Sequence, residues 1–207
     1  MTRIAARRHA AGEFEIVRGR ELLVPHHGLG NGHLARDVHQ IGSRRNDDDV
    51  EALRTLSERG DVEIVYPVHL NPNVAGPVRK ILGGLANVHR IAPQGYIAFV
   101  HLMKSCDLIL TDSDGVQEEA PSLNKPVLVM RGMTERPEAV EVGTARLVGA
   151  IREKIVEGGH GLLDDAGAAR RMTGVANPYG DGHAAARIVR SLLDTVAVHP
   201  GQRARSC

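Results

Sequence analysis

The chain has 207 residues, enough to bury one sizeable core, and 42% of them are hydrophobic. A formal net charge of +1 gives no polyelectrolyte signature, so nucleic acid is not expected as a partner. No apolar run reaches the roughly 18 residues of a membrane span, and the opening MTRIAARRHAAGEFEIVRGR has no apolar stretch of signal-peptide length, so a cytoplasmic protein is expected. Aromatic residues make up 2% and Trp is absent, so the core must come from Val, Ile, Leu and Ala. That composition suits strands covered by helices on both faces. The cysteines, Cys106 in an apolar stretch and Cys207 at the end, do not suggest a structural disulfide.

In chain order, the sequence changes character near Asp47–Val50. Before that point LLVPHHGLGNGHLARDVHQIGSRRNDDD is rich in Gly, His and Arg and has little periodicity. Residues 1–47 are read as an atypical, poorly ordered segment, 48–196 as one domain and 197–207 as a tail. Every lysine (Lys80, Lys104, Lys125, Lys154) lies in the second part. Two readings of the first part stay open: a mobile basic tail, or a shifted reading frame joined to a true domain. His26, His27, His33 and His39 are read as solvated loop residues, since no Cys accompanies them and their spacing matches no zinc pattern.

From Val50 on, short apolar strands alternate with helical patterns. A helix carries Leu53 and Leu56, and VEIVY (62–66) is a buried strand. A short helix is expected over Pro77–Leu82, then a strand at Val88–Ile91 and a helix at Tyr96–Met103. Leu108–Thr111 is a strand that turns at once into a helix over Gly115–Ala120. Val127–Met130 and Ala145–Val148 are strands, and helices fill Ala150–Val156, Ala166–Met172 and Gly182–Val196. Strands alternating with helices imply an α/β, doubly wound, Rossmann-like sheet with parallel pairing.

LILTDSDGVQEEAPSL (108–123) is the richest stretch. A buried strand ends in Asp112-Ser113-Asp114-Gly115 and a helix follows, which aims backbone N–H groups at the mouth of the sheet, where a phosphate can sit. The bland alternative is a helix cap, with Asp114 and Gln117 forming a capping box. Asp114 near a phosphate would repel it: at about 5 Å and an effective dielectric of ~20 the repulsion is on the order of 3 kcal/mol. Glu118 and Glu119 follow. A carboxylate there can simply partner the helix dipole or accept ribose hydroxyls, and one of the pair should face the site while the other faces solvent. Next, Arg136 in TERPE would lie at the same sheet edge, binding a diphosphate or pairing with Glu135 or Glu138. His69, in the rigid loop HLNPNV, follows a strand end. NPYGDG (177–182) caps a terminal helix.

Taken together, VHLNPNV, PQGYIAFVHLM, LTDSDGVQEEAPSLNKPVLVMRGMTERPEAVEVGT and NPYGDG resemble the non-hydrolysing UDP-N-acetylglucosamine 2-epimerases, from about Val50 to Leu193. The resemblance implies the second domain of a two-Rossmann-domain (GT-B-like) fold. It also implies conversion of UDP-GlcNAc to UDP-ManNAc by anti elimination and re-addition of UDP, with no cofactor and no metal. By match, Gln94 and Phe99 would line the uracil pocket, Ser113 and Gly115 contact the diphosphate, Glu119 the ribose, and Arg136 lie nearby. His69 matches a histidine beside the cleft that contacts an allosteric second UDP-GlcNAc in some members. The chain departs from the family's DSGG at Asp114. The GHRRE-like motif, expected in about the 30s, is absent from HLARDVHQIG. The catalytic acid and base are implied to lie in the first domain, which this chain does not match. The partners implied are UDP-GlcNAc or UDP, a complementary N-terminal domain on another chain, and a second copy in a homodimer. A UDP-sugar-binding module without chemistry is the second reading. A related two-domain glycosyltransferase is a third, disfavoured by the linked motifs.

Overall fold

The computed structural model describes residues 2–7 and 46–198. The elements are β1 (Thr2–Arg7), α1 (Asn46–Ser57), β2 (Val62–Pro67), α2 (Pro72–Leu82), β3 (Val88–Ile91), α3 (Tyr96–Ser105) and β4 (Leu108–Thr111). They continue with α4 (Asp114–Glu119), a 3-10 turn (Ala120–Leu123), β5 (Val127–Val129), α5 (Pro137–Glu141), β6 (Ala145–Leu147), α6 (Arg152–Asp164), α7 (Ala166–Thr173) and α8 (Ala184–Val198).

The strands form one 6-stranded sheet in the order β3-β2-β1-β4-β5-β6. Successive side chains of a strand point to opposite faces, and the sequence supplies apolar residues for both. In β4, Leu108 and Leu110 join one core, while Ile109 joins the other. In β5, Leu128 faces the first core and Val127 and Val129 the second. Leu53 and Leu56 of α1, Val78 and Leu82 of α2, Ile155 and Leu162 of α6 and Met172 of α7 complete the first core. Met103 of α3, Cys106, Val116 of α4, Ala120 and Ala139 of α5 complete the second. Helices therefore cover both faces, as the near-continuous apolar strands require. Burial in the second core pushes the Cys106 thiol up to about 12, even though nearby Lys125 pulls the other way.

Strands β2 and β3 pair in parallel, as do β4, β5 and β6. The expectation of parallel pairing needs one correction, because β1 runs antiparallel to both β2 and β4. This strand falls in the stretch read as poorly ordered. TRIAAR has no alternating apolar run and no flanking turn signal, so nothing in its pattern marks a strand; its place is set by pairing Ile4 with Val65 and with Ile109. The rest of that stretch up to Arg45, with His26, His27, His33, His39 and the segment where the motif is expected, lies outside the described residues, as does the tail beyond Val198.

Two helices are longer than their patterns suggest. Helix α2 begins at Pro72 rather than Pro77, because Asn71 caps it by accepting the Asn73 N–H at 3.0 Å and Pro72 takes the first position. Helix α6 runs on past Val156, where its pattern is expected to end, through Gly158 and Gly159 to Asp164. A Cβ at Gly159 would stand 2.9 Å from Leu56 Cδ2, and one at Gly158 would stand 3.0 Å from Leu128 Cδ1. The glycines thus let α6 pack closely on α1 and on the sheet. Arg59 ties the same region together by donating to both Asp61 and Asp164. Helix α8 contributes to neither core, and Ile188, Val189, Leu192 and Leu193 on it are exposed. No helix among the described residues is long and apolar enough to cross a membrane.

Candidate functional site at the carboxyl edge of the sheet

Because β2, β3, β4 and β5 all point the same way, the loops that follow them open at one edge. In open α/β sheets ligands bind at that edge, where the strand order reverses. Here the strand succession runs outward on both sides of β1: β2 and β3 on one, β4, β5 and β6 on the other. His69 follows β2, Gln94 follows β3, Ser113, Gly115 and Glu119 follow β4, and Arg136 follows β5. The fold therefore brings every candidate residue to a single edge, except that Phe99 is on α3 and packs, half-buried, against the second core.

The β4–α4 junction is the centre. Ser113 is the residue before the helix, in extended conformation, with its hydroxyl making no capping bond. Its N–H donates to Thr111 Oγ1 at 3.0 Å, which fixes the turn and leaves Oγ available. Gly115 is exposed, and a Cβ built there would meet only Ser113 Oγ, at 3.9 Å. Among the described residues the backbone at the mouth is thus open beside a hydroxyl with no partner.

The three carboxylates of α4 have different surroundings. Asp114 accepts from Arg131 Nη1 at 2.8 Å through both oxygens, and Gln117 Nε2 donates to its Oδ1 at 3.2 Å. It therefore makes a cross-loop ion pair rather than the capping box read from sequence, because the position before the helix falls one residue earlier, on Ser113. Glu118 pairs with Arg136 Nε, so Arg136 chooses the neighbouring loop and not Glu135 or Glu138. Glu119 has no partner among the described residues, and burial, helped by the nearby Glu118 charge, raises its pKa. Both glutamates are half-buried, and what separates them is pairing.

A buried network joins this loop to the one after β5. Gln117 is fully buried, and Thr134 donates to its Oε1 at 2.7 Å. Thr134 Oγ1 in turn accepts the Arg136 N–H at 3.0 Å. From the far end of the chain, the Tyr179 hydroxyl donates to Arg136 O at 3.3 Å and accepts the Ala139 N–H at 3.3 Å. Asn177 Nδ2 donates to Ser122 Oγ at 2.6 Å. Arg131, Gln117, Thr134, Asn177 and Tyr179 were not singled out from sequence as site residues. NPYGDG reads as the cap of α8; Asp181 in it accepts from the His183 N–H, just before the helix, and from the Arg187 side chain. Its contacts to the rim span 40 to 59 residues of sequence, beyond any local pattern.

On the far side of β1, His69 is exposed, and its Nδ1 accepts the Asn71 N–H at 3.1 Å. That bond fits the tautomer with the proton on Nε2. Gln94, also exposed, spends its amide N–H on Ala92 O at 2.7 Å, which leaves its carbonyl oxygen as an acceptor. No group of three or more His, Cys, Asp or Glu side chains among the described residues could hold a metal ion.

The family model for UDP-N-acetylglucosamine 2-epimerase matches residues 38–193, which takes in every candidate residue and leaves β1 outside. The chain belongs to the UDP-N-acetylglucosamine 2-epimerase family. The epimerase of Escherichia coli (strain K12) is 59% identical over 132 residues, covering 64% of this chain and 35% of the relative. The Neisseria meningitidis epimerase solved with UDP-GlcNAc superposes with a TM-score of 0.67 at 44% identity, covering 72% of this chain and 40% of that one. The S. aureus MnaA–UDP co-structure gives a TM-score of 0.70 at 39% identity, covering 78% and 44%. The chain thus spans less than half the length of these relatives, whose fold is GT-B-like.

Proposed function

We propose that this chain carries the UDP-binding half of a UDP-GlcNAc 2-epimerase. Ser113 Oγ and the Gly115 N–H donate to the diphosphate, Arg136 adds a guanidinium beside it, and Glu119 accepts the ribose hydroxyls. Gln94 and Phe99 hold the uracil, and His69 stands beside the cleft. The observation that carries this reading is Glu119: of the three carboxylates on α4, it alone lacks a partner among the described residues while sitting half-buried beside an open, donor-rich turn. An unneutralised acceptor in that setting suits a ligand with paired hydroxyl donors. Two solved relatives, one bound to UDP-GlcNAc and one to UDP, support it.

In the reaction, UDP leaves by anti elimination and returns with the configuration at C2 inverted. Each proton transfer needs an acid or base within about 3 Å of its atom. On this edge Asp114 and Glu118 are tied up by arginines, and Glu119 is assigned to the ribose. Recognition of the nucleotide alone lowers no chemical barrier, so the chain by itself is proposed to bind without turning over, the acid and base coming from a complementary N-terminal half. Incubation of the chain with UDP-GlcNAc in D₂O, followed by proton NMR, reads both parts. The expected result is broadening of the uracil and ribose resonances without deuterium at C2. Absence of broadening would refute nucleotide binding; deuterium at C2 above the protein-free control would show that the chain carries its own acid and base.

A further inference from the structure

The loop after β5 places a second arginine at the same mouth, and it is occupied from within. Arg131 Nη1 lies 2.8 Å from Oδ1 of Asp114 and 2.8 Å from Oδ2. Asp114 sits between Ser113 and Gly115, the two residues assigned to the diphosphate. Its carboxylate thus offers a guanidinium two oxygens on one centre, the pattern a phosphate also offers. The pair is partly desolvated, with side-chain exposures of 24% for Arg131 and 29% for Asp114. Gln117 Nε2 adds a second donor to Asp114 and steadies it in this position.

We propose that Arg131 is a latent diphosphate-binding cation, held off the ligand by Asp114, whose carboxylate acts as an internal stand-in for a phosphate. The inference rests on the reading that UDP's diphosphate lies at Ser113 and Gly115. While Asp114 is charged, the pair is close to neutral and contributes little to an incoming diphosphate. Removing the carboxylate frees the guanidinium to donate to phosphate oxygens, with no other change of charge at the rim. Asp114 is therefore a residue that sets affinity through Arg131 rather than by touching ligand.

The test uses the full chain and UDP as the probe, with isothermal titration of wild type, Asp114→Asn and the double variant Asp114→Asn/Arg131→Met. Asp114→Asn keeps the shape and a hydrogen-bonding partner for Gln117. It is expected to bind UDP about three- to thirtyfold more tightly, the size of one charge-assisted hydrogen bond at a partly exposed site. Its affinity should also fall more steeply with added salt than that of wild type, a change that a merely structural role of Asp114 would not produce. The double variant should return to within about threefold of wild type. Asp114→Gly, compared by thermal melting to confirm folding, should repeat the gain. If the double variant binds as tightly as Asp114→Asn, the gain comes from lost repulsion and Arg131 takes no part, which overturns the proposal. Unchanged affinity in both single variants overturns it as well. If no chain binds UDP, the site reading itself fails, and the inference falls with it.

Discussion

Glu119 is left charged and partly desolvated with nothing among the described residues to neutralise it, which burdens the fold. Burial raises its pKa, so over a window starting near the ordinary glutamate value and extending upward the folded chain holds more protons than the unfolded one. Stability therefore falls as pH rises through that window. Glu119→Gln should remove this dependence and melt slightly higher than wild type at pH 7. The same substitution removes a charged acceptor for two hydroxyls, so UDP affinity should drop about ten- to a hundredfold. Melting curves across pH 4 to 8, with UDP titrations of both chains, check the pair of effects. A variant that is less stable at pH 7 and binds UDP equally well would place Glu119 in the fold rather than in the site. The residue types of the site were legible because Ser, Gly, Glu and Arg at a strand–helix junction have few other uses. Their pairing was not, since Arg136 could reach Glu118, Glu135 or Glu138 and only the packed loops decide for Glu118.

The loops after β4 and β5 are held as one rim by Gln117. The residue is wholly buried, and each of its amide groups is used: Nε2 toward Ser113 O and Asp114, Oε1 toward Thr134. In sequence Gln117 reads as half of a capping box, because its spacing from Asp114 fits one and its true partner lies 17 residues on. Gln117→Leu keeps most of the volume and strips the hydrogen bonds, leaving the Thr134 hydroxyl and Asp114 with fewer partners. Urea denaturation should show a loss of about 1–3 kcal/mol. No loss would mean that the two loops hold their places without the bridge. Strands β2 to β6 were readable from apolar runs alone, whereas the length of α6 was hidden by glycines whose purpose, close approach to Leu56 and Leu128, exists only in the packed structure.

The described residues form a sheet with a core on each face and a candidate functional edge assembled from loops far apart in sequence. The doubly wound architecture follows from composition: few aromatics, abundant Val, Ile and Leu, and strands buried on both faces. The antiparallel strand β1 does not follow, because TRIAAR has no strand pattern and its pairing partners lie about 60 and 105 residues away. The account stands or falls on where the nucleotide touches the chain. The most direct measurement is a two-dimensional NMR titration of the isotopically labelled full chain with UDP, with backbone amides assigned. The account predicts shifts concentrated at Gln94, Ser113, Gly115, Glu119 and Arg136, with α6 and α7 unmoved. Shifts confined to α6, α7 or α8, or no shifts at millimolar UDP, would contradict it.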